Sequence, residues 1–158
     1  MNIEFKRLTE VERSEIIELM NNQLVRRQMP LLKGDFNASI CDKFIADKEL
    51  LWTEHGYGPW AFIVNGLFAG WGGLQPENGE ADLALVLHPD YWGLGKILSK
   101  EIISMAFDEM GLESVMVLFP PTRTRIKGLL RLGFKKVSKL EVGNEHFIKY
   151  RLEKPLGN

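Results

Sequence analysis

ADLALVLHPDYWGLGKIL, residues 81–98, is the stretch on which the fold turns. From Asp82 to Leu87 the run is almost wholly apolar, which suits a strand buried on both faces. Pro89 has no N–H for a sheet ladder, so the strand ends or distorts there. Gly93 and Gly95 predict a close turn with uncovered backbone N–H groups. From Lys96 to Met110, Leu98, Ile102, Met105 and Ala106 recur at helical spacing. A helix opening at such a turn presents unpaired N–H groups and a positive dipole end, a site suited to phosphate. The same turn also occurs as a connection that binds nothing. Two other phosphate loops are excluded. A P-loop fails on Asp90, five positions before Gly95, and on Ile97, which replaces its Ser/Thr. A dinucleotide fingerprint fails because Leu98 stands at its third glycine.

Upstream, Ile3 and Phe5 alternate with charged residues, so residues 2–8 read as a strand. Thr9 with Glu12 forms a capping box for a helix that runs to about Met29, with Ile16, Leu19, Met20 and Leu24 on its apolar face. A second helix from about Asn37 to Leu51 buries Ile40, Cys41, Phe44, Ile45 and the stem of Lys48. Residues 54–59 form a loop, in which Tyr57 between two glycines is placed to touch a ligand. Trp60–Asn65 and Leu67–Leu74 form a hairpin around Asn65-Gly66, and Pro76–Gly79 turns the chain into the Asp82 strand. Downstream, Ser114–Phe119 is a strand, and Thr122 caps a helix running to Leu132 with Gly133 behind it. Phe134–Val142 and Glu145–Leu152 form a last hairpin over Gly143-Asn144, and the tail from 154 to 158 frays.

These residues resemble the GNAT N-acetyltransferases, and within them the branch that acetylates ribosomal-protein N-termini and some small amines. The run from Asp82 to Gly95 looks like that family's acyl-CoA segment. Its Gln/Arg-x-x-Gly-x-Gly/Ala motif falls on Trp92-Gly93-Leu94-Gly95-Lys96-Ile97. Trp92 for Gln/Arg is usual in this branch; Ile97 for a small residue is a departure that alters how closely a pyrophosphate approaches the backbone. The helix ending in Leu132-Gly133-Phe134 also matches. The likeness is strong over residues 58–134 and weaker before them, where such proteins shape the acceptor site. It implies a single α/β (α+β) domain over residues 1–153, with a mixed, mostly antiparallel sheet and helices on both faces.

The implied reaction is acetyl transfer from acetyl-CoA to a primary amine by direct attack, with no covalent intermediate and no metal. An acyl-CoA-binding module with little activity is the alternative. By resemblance, the backbone of Leu85, Val86 and Leu87 pairs with the pantetheine arm, the Leu87 N–H lies near the thioester carbonyl, and residues 92–97 take the pyrophosphate. Asp82 corresponds to the family's acidic residue at the head of this strand, usually Glu, and is the candidate base acting through water. Glu80 competes with it, ahead of His88 and His55. The Tyr that many members use as general acid is absent, since no Tyr lies between Tyr91 and Tyr150. Thr122 and Arg125 stand where the family has a cofactor-binding Asn and Ser.

The 158 residues carry a net charge of −1, with no global pull toward nucleic acid or membrane. Residues 1–80 hold 8 basic and 12 acidic side chains, which favours a cationic acceptor such as a protein N-terminus or small amine. Seven basic residues and no acidic ones lie between Pro121 and Lys139. They read as a solvated face that also meets CoA phosphates; an RNA-binding reading lacks interleaved aromatics. One cysteine, Cys41, excludes an internal disulfide and fits a reducing cytoplasm. A homodimer is compatible with this size.

Overall fold

The computed structural model describes residues 1–156. Seven strands form one sheet in the order β1-β2-β3-β4-β5-β7-β6. They are β1 (Ile3–Lys6), β2 (Pro59–Val64), β3 (Leu67–Glu77), β4 (Glu80–Leu87), β5 (Ser114–Phe119), β6 (Lys135–Val142) and β7 (Glu145–Glu153). Only β4 and β5 pair in parallel, and the crossover between them is α4 (Gly95–Asp108). The helices are α1 (Arg13–Asn21), α2 (Gln23–Arg26), α3 (Ala38–His55), α4 and α5 (Lys127–Arg131). This is the mixed, mostly antiparallel α/β architecture expected.

Two cores lie on opposite faces of the sheet. On one, α1 and α3 bring Ile16, Leu19, Met20 and Cys41 onto Ala61, Trp71 and Val86. On the other, Leu98, Ile102, Ala106 and Phe107 of α4 pack on Phe62, Leu83, Val115, Val117 and Phe134. Met105 sits at the margin of that second core. Cys41 is fully buried, and burial raises its thiol, so it is a core residue as its position on the helix implied.

Three two-residue turns set the strand registers. Asn65-Gly66, Asn78-Gly79 and Gly143-Asn144 all take positive φ, which matches the twist of a hairpin. The middle turn corrects the sequence reading. The chain does not bend over Pro76–Gly79; β3 runs on through Pro76 to Glu77, which pairs with Glu80. The first helix also differs from expectation. Leu8–Glu10 is a 3-10 turn, and the Arg7 N–H donates to Glu10, so Thr9 caps nothing. The long helix expected there breaks at Asn22, whose side chain caps α2 by accepting from the N–H groups of Leu24 and Val25. The break turns Val25 inward and leaves Leu24 exposed. In α3, Ile40 is exposed rather than buried, whereas Cys41, Phe44 and Ile45 pack inward. At the C-terminus the Lys154 N–H bonds the Glu113 carbonyl, so the tail is tied there; residues 157–158 of the expected frayed tail lie outside the described residues.

Candidate active site

The sheet opens between β4 and β5. Their ladder is one bridge long, Asp82 opposite Met116. β4 is continuously paired with β3 from Glu80 to Leu87 without a bulge, so the opening lies wholly on its β5 side. The His88 N–H bonds the Ala69 carbonyl of the neighbouring strand. Peptide groups alternate along a strand, so those of Val86 and Ala84 also face β3, and those of Leu87 and Leu85 face the gap. The split starts just past Asp82, well before the Pro89 at which the sequence suggested it. Close approach on the β3 side requires glycine: a Cβ on Gly70, at φ 151°, would lie 2.2 Å from the Val86 carbonyl oxygen.

At the open end of β4 the chain turns through a 3-10 segment, Pro89–Leu94, directly into α4. The His88 Nδ1 accepts from the Asp90 N–H, so this histidine caps the segment. Gly93 and Gly95 need no special φ here; Gly95 is helical at φ −53°, ψ −40°. What they provide is space, because a Cβ at either position meets nothing within 4 Å. The helix start is less bare than expected, since the Gly95 N–H already bonds the Trp92 carbonyl. Leu94 packs against the core, Lys96 is exposed, and Ile97 is 50% exposed beside the bare glycines. The Trp92 indole N–H donates to the Leu87 carbonyl at 2.8 Å, with the ring 45% exposed. That bond occupies the Leu87 carbonyl at the mouth of the gap.

At the closed end stands Asp82. Among the described residues nothing hydrogen-bonds or ion-pairs its carboxylate. Burial first, and the Glu77 carboxylate second, push it up to about 7, against the pull of Lys48. A carboxylate so placed exchanges protons near neutrality. Lys48 reaches over from α3 and donates to Gln75, the residue directly opposite Asp82 in register. Glu80 has a different role from the one its position suggested. It holds Lys149 and Arg151 of β7, and the Arg151 bonds above all keep its carboxyl down at about 2. A group so low cannot serve as a base near neutrality. It ties β4 to β7 across the closed end.

The sequence model described as "Acetyltransferase (GNAT) domain" matches residues 2–135. The chain belongs to the GNAT acetyltransferase family. Solved structures agree in fold. The aminoglycoside acetyltransferase AAC(6')-Ib in complex with coenzyme A superimposes with a TM-score of 0.76 at 13% identity, covering 97% of this chain and 95% of that one. A protein from Vibrio cholerae described as a ribosomal-protein-serine acetyltransferase gives 0.71 at 16% identity, over 98% and 95%. The Campylobacter jejuni N-acetyltransferase PseH in complex with acetyl coenzyme A gives 0.66 at 14% identity, over 97% and 99%.

The GNAT features after β5 depart from expectation. Helix α5 begins at Lys127, and Thr122 and Arg125 lie in the exposed connection before it, so Thr122 caps no helix. Topology puts both at the open end of the gap, because β4 and β5 are parallel and their following segments leave from the same edge. The connection also carries Arg123, whose guanidinium stacks 3.9 Å from the Phe119 ring centroid. Lys135, Lys136 and Lys139 lie apart from it on the exposed edge strand β6. Tyr57 packs partly into the core beside His55, where burial raises its hydroxyl. Sequence reasoning missed Lys48, Gln75 and the Trp92–Leu87 bond. The signal for the first was present: a lysine on the apolar face of α3, one turn after Phe44, needs a compensating group.

Proposed function

We propose that this GNAT protein transfers the acetyl group of acetyl-CoA to a primary amine by direct attack. In this reading the pyrophosphate lies over Gly93 and Gly95, where no side chain obstructs the backbone. The pantetheine arm runs down the gap and pairs with the outward peptide groups of β4, as a strand adds to a sheet edge. Trp92, Leu94, Lys96 and Ile97 flank the phosphates; Val86, whose peptide faces β3, contributes to the wall and not to this pairing. Thr122 and Arg125 close the same end from the β5 side. The observation that carries the reading is an unpaired carboxylate, Asp82, held near neutrality at the apex of an opening whose other end is bare glycine backbone.

Strand geometry refines the catalytic assignment. At a rise of roughly 3.3 Å per residue, Leu87 lies roughly 16 Å from Asp82, and one water cannot link them. Leu85 lies roughly 10 Å away, within reach of the Asp82 side chain and a short chain of waters. We therefore assign the thioester oxygen to the Leu85 N–H and leave the Leu87 N–H to the arm. Asp82 accepts one proton of the protonated amine through water; the amine nitrogen forms the new amide bond to the acetyl carbon, the C–S bond breaks, and the departing thiolate takes the second proton that the nitrogen sheds, so CoA leaves as the thiol.

The acceptor is a protein N-terminus or a small amine. The acidic surface that would attract a cation is smaller than the sequence suggested, because Glu80 is neutralised and Lys48 faces Asp82. Glu77 is the acidic group left to attract it. A reducing cytoplasm suits the buried lone Cys41. Thiol release from acetyl-CoA should appear with at least one member of a panel of small amines and N-terminal peptides. Tight CoA binding with no thiol release across the panel would favour the acyl-CoA-binding alternative.

A further inference from the structure

Lys48 is an unusual side chain to find under a sheet. It comes from the apolar face of α3, and its Nζ lies 5.5 Å from the ring centroids of both Phe44 and Trp71. Among the described residues its one hydrogen bond is to Gln75, which the hairpin over Asn78-Gly79 sets directly opposite Asp82. Burial disfavours the charge on this ammonium, and Asp82 favours it. The two charges form no direct ion pair; they face each other across Gln75. Around Asp82 the other groups are accounted for. Glu77 follows Gln75 on the same face of β3, Glu80 is consumed by Lys149 and Arg151, and β5 offers the neutral Met116. Asp47, which also faces Lys48, is paired with Lys43.

We propose that Lys48 is a positioning residue: its ammonium, clamped by Gln75 and the two rings, holds the Asp82 carboxylate in the charged form that accepts a proton. Direct pairing would lock a carboxylate out of proton transfer, as it does Glu80. A cation one side chain removed keeps the base charged and unblocked. The inference rests on Asp82 as the base, and the test separates the two.

The experiment follows the Asp82 carboxyl by carbon NMR across pH 4–9, together with kcat/KM for acetyl transfer, in the parent, Lys48→Met, Lys48→Arg and Glu77→Gln proteins. Lys48→Met should move the Asp82 midpoint up by about one pH unit. The acid limb of kcat/KM should move with it, which lowers the rate at pH 7 by about fivefold and leaves the alkaline plateau unchanged. Lys48→Arg should restore both, and Glu77→Gln should move both down. A midpoint unmoved in folded Lys48→Met overturns the role of Lys48. If Lys48→Met does not fold, Lys48→Gln takes its place, and an unmoved midpoint in folded Lys48→Gln overturns the electrostatic hold. A midpoint that moves without the limb supports the hold of Lys48 on Asp82 and removes Asp82 as the base.

Discussion

Replacing Asp82 by Asn should make the protein more stable and less active at once. In the folded chain the carboxyl is raised from 3.8 to about 7, mainly by burial. The folded state therefore binds the proton more tightly than the unfolded chain, and stability falls as pH rises from about 4 through 7. A shift of about 3 units at about 1.36 kcal/mol each sets a ceiling of roughly 4 kcal/mol. Asp82 keeps some contact with solvent, so the stabilisation on removing the charge should be about 1–3 kcal/mol above pH 7. Below pH 4 the gap should close, because both side chains are then neutral and alike in shape. For a chain of this size the gap corresponds to a rise in Tm of roughly 2–4 °C per kcal/mol. Urea unfolding of both proteins at pH 4, 5.5, 7 and 8.5 measures it directly. A gap independent of pH, or an Asn variant less stable at pH 8.5, would show that Asp82 carries no buried-charge penalty. On activity, loss of a water-relayed base should lower kcat/KM by about 10²-fold or less above pH 7, and by less at low pH, where the parent's Asp82 is already protonated.

Other substitutions separate structure from chemistry. Glu80→Gln removes the acceptor that Lys149 and Arg151 share, and should cost about 1–3 kcal/mol at pH 7. The parent's advantage is present above pH 4.5 and disappears as pH falls toward 2, while the acid limb of kcat/KM stays in place; a displaced limb would return Glu80 to the list of bases. Trp92→Phe keeps a ring but removes the donor to the Leu87 carbonyl, and should weaken CoA binding by about 1 kcal/mol in calorimetry. Unchanged affinity would mean that the bond does not organise the mouth of the gap.

The sheet was readable because its signals are local. Asn-Gly and Gly-Asn turns, an apolar strand stopped by Pro89 and a helix with residues at 98, 102 and 106 each follow from neighbouring residues. The hairpin at Asn78-Gly79 was missed because Pro76 looked like a turn, although an edge-facing Pro can sit in a strand. That one misplacement hid the register that sets Gln75 opposite Asp82, and with it the role of Lys48. Glu80 was misread for a different reason. Its partners on β7 are 69 and 71 residues away, and no local pattern announces a pairing that exists only after β7 inserts between β5 and β6. The late start of the α5 helix has a plain cause as well: no side chain caps it before Lys127. Asp82 itself was legible as a candidate, but its environment was not, since the groups that face it, Lys48 of α3 and Gln75 and Glu77 of β3, meet only in the folded chain.

The placement of acyl-CoA over the glycine turn is tested by Gly95→Glu. The position is already helical and open, and a carboxylate near a helix start is favourable, so the variant should fold like the parent. Its side chain would fill the space assigned to the pyrophosphate and repel it. Titration calorimetry with CoA, on protein shown by circular dichroism to keep the parent's fold, should find binding in the parent and none in Gly95→Glu. A folded Gly95→Glu protein that binds CoA as the parent does would contradict the placement.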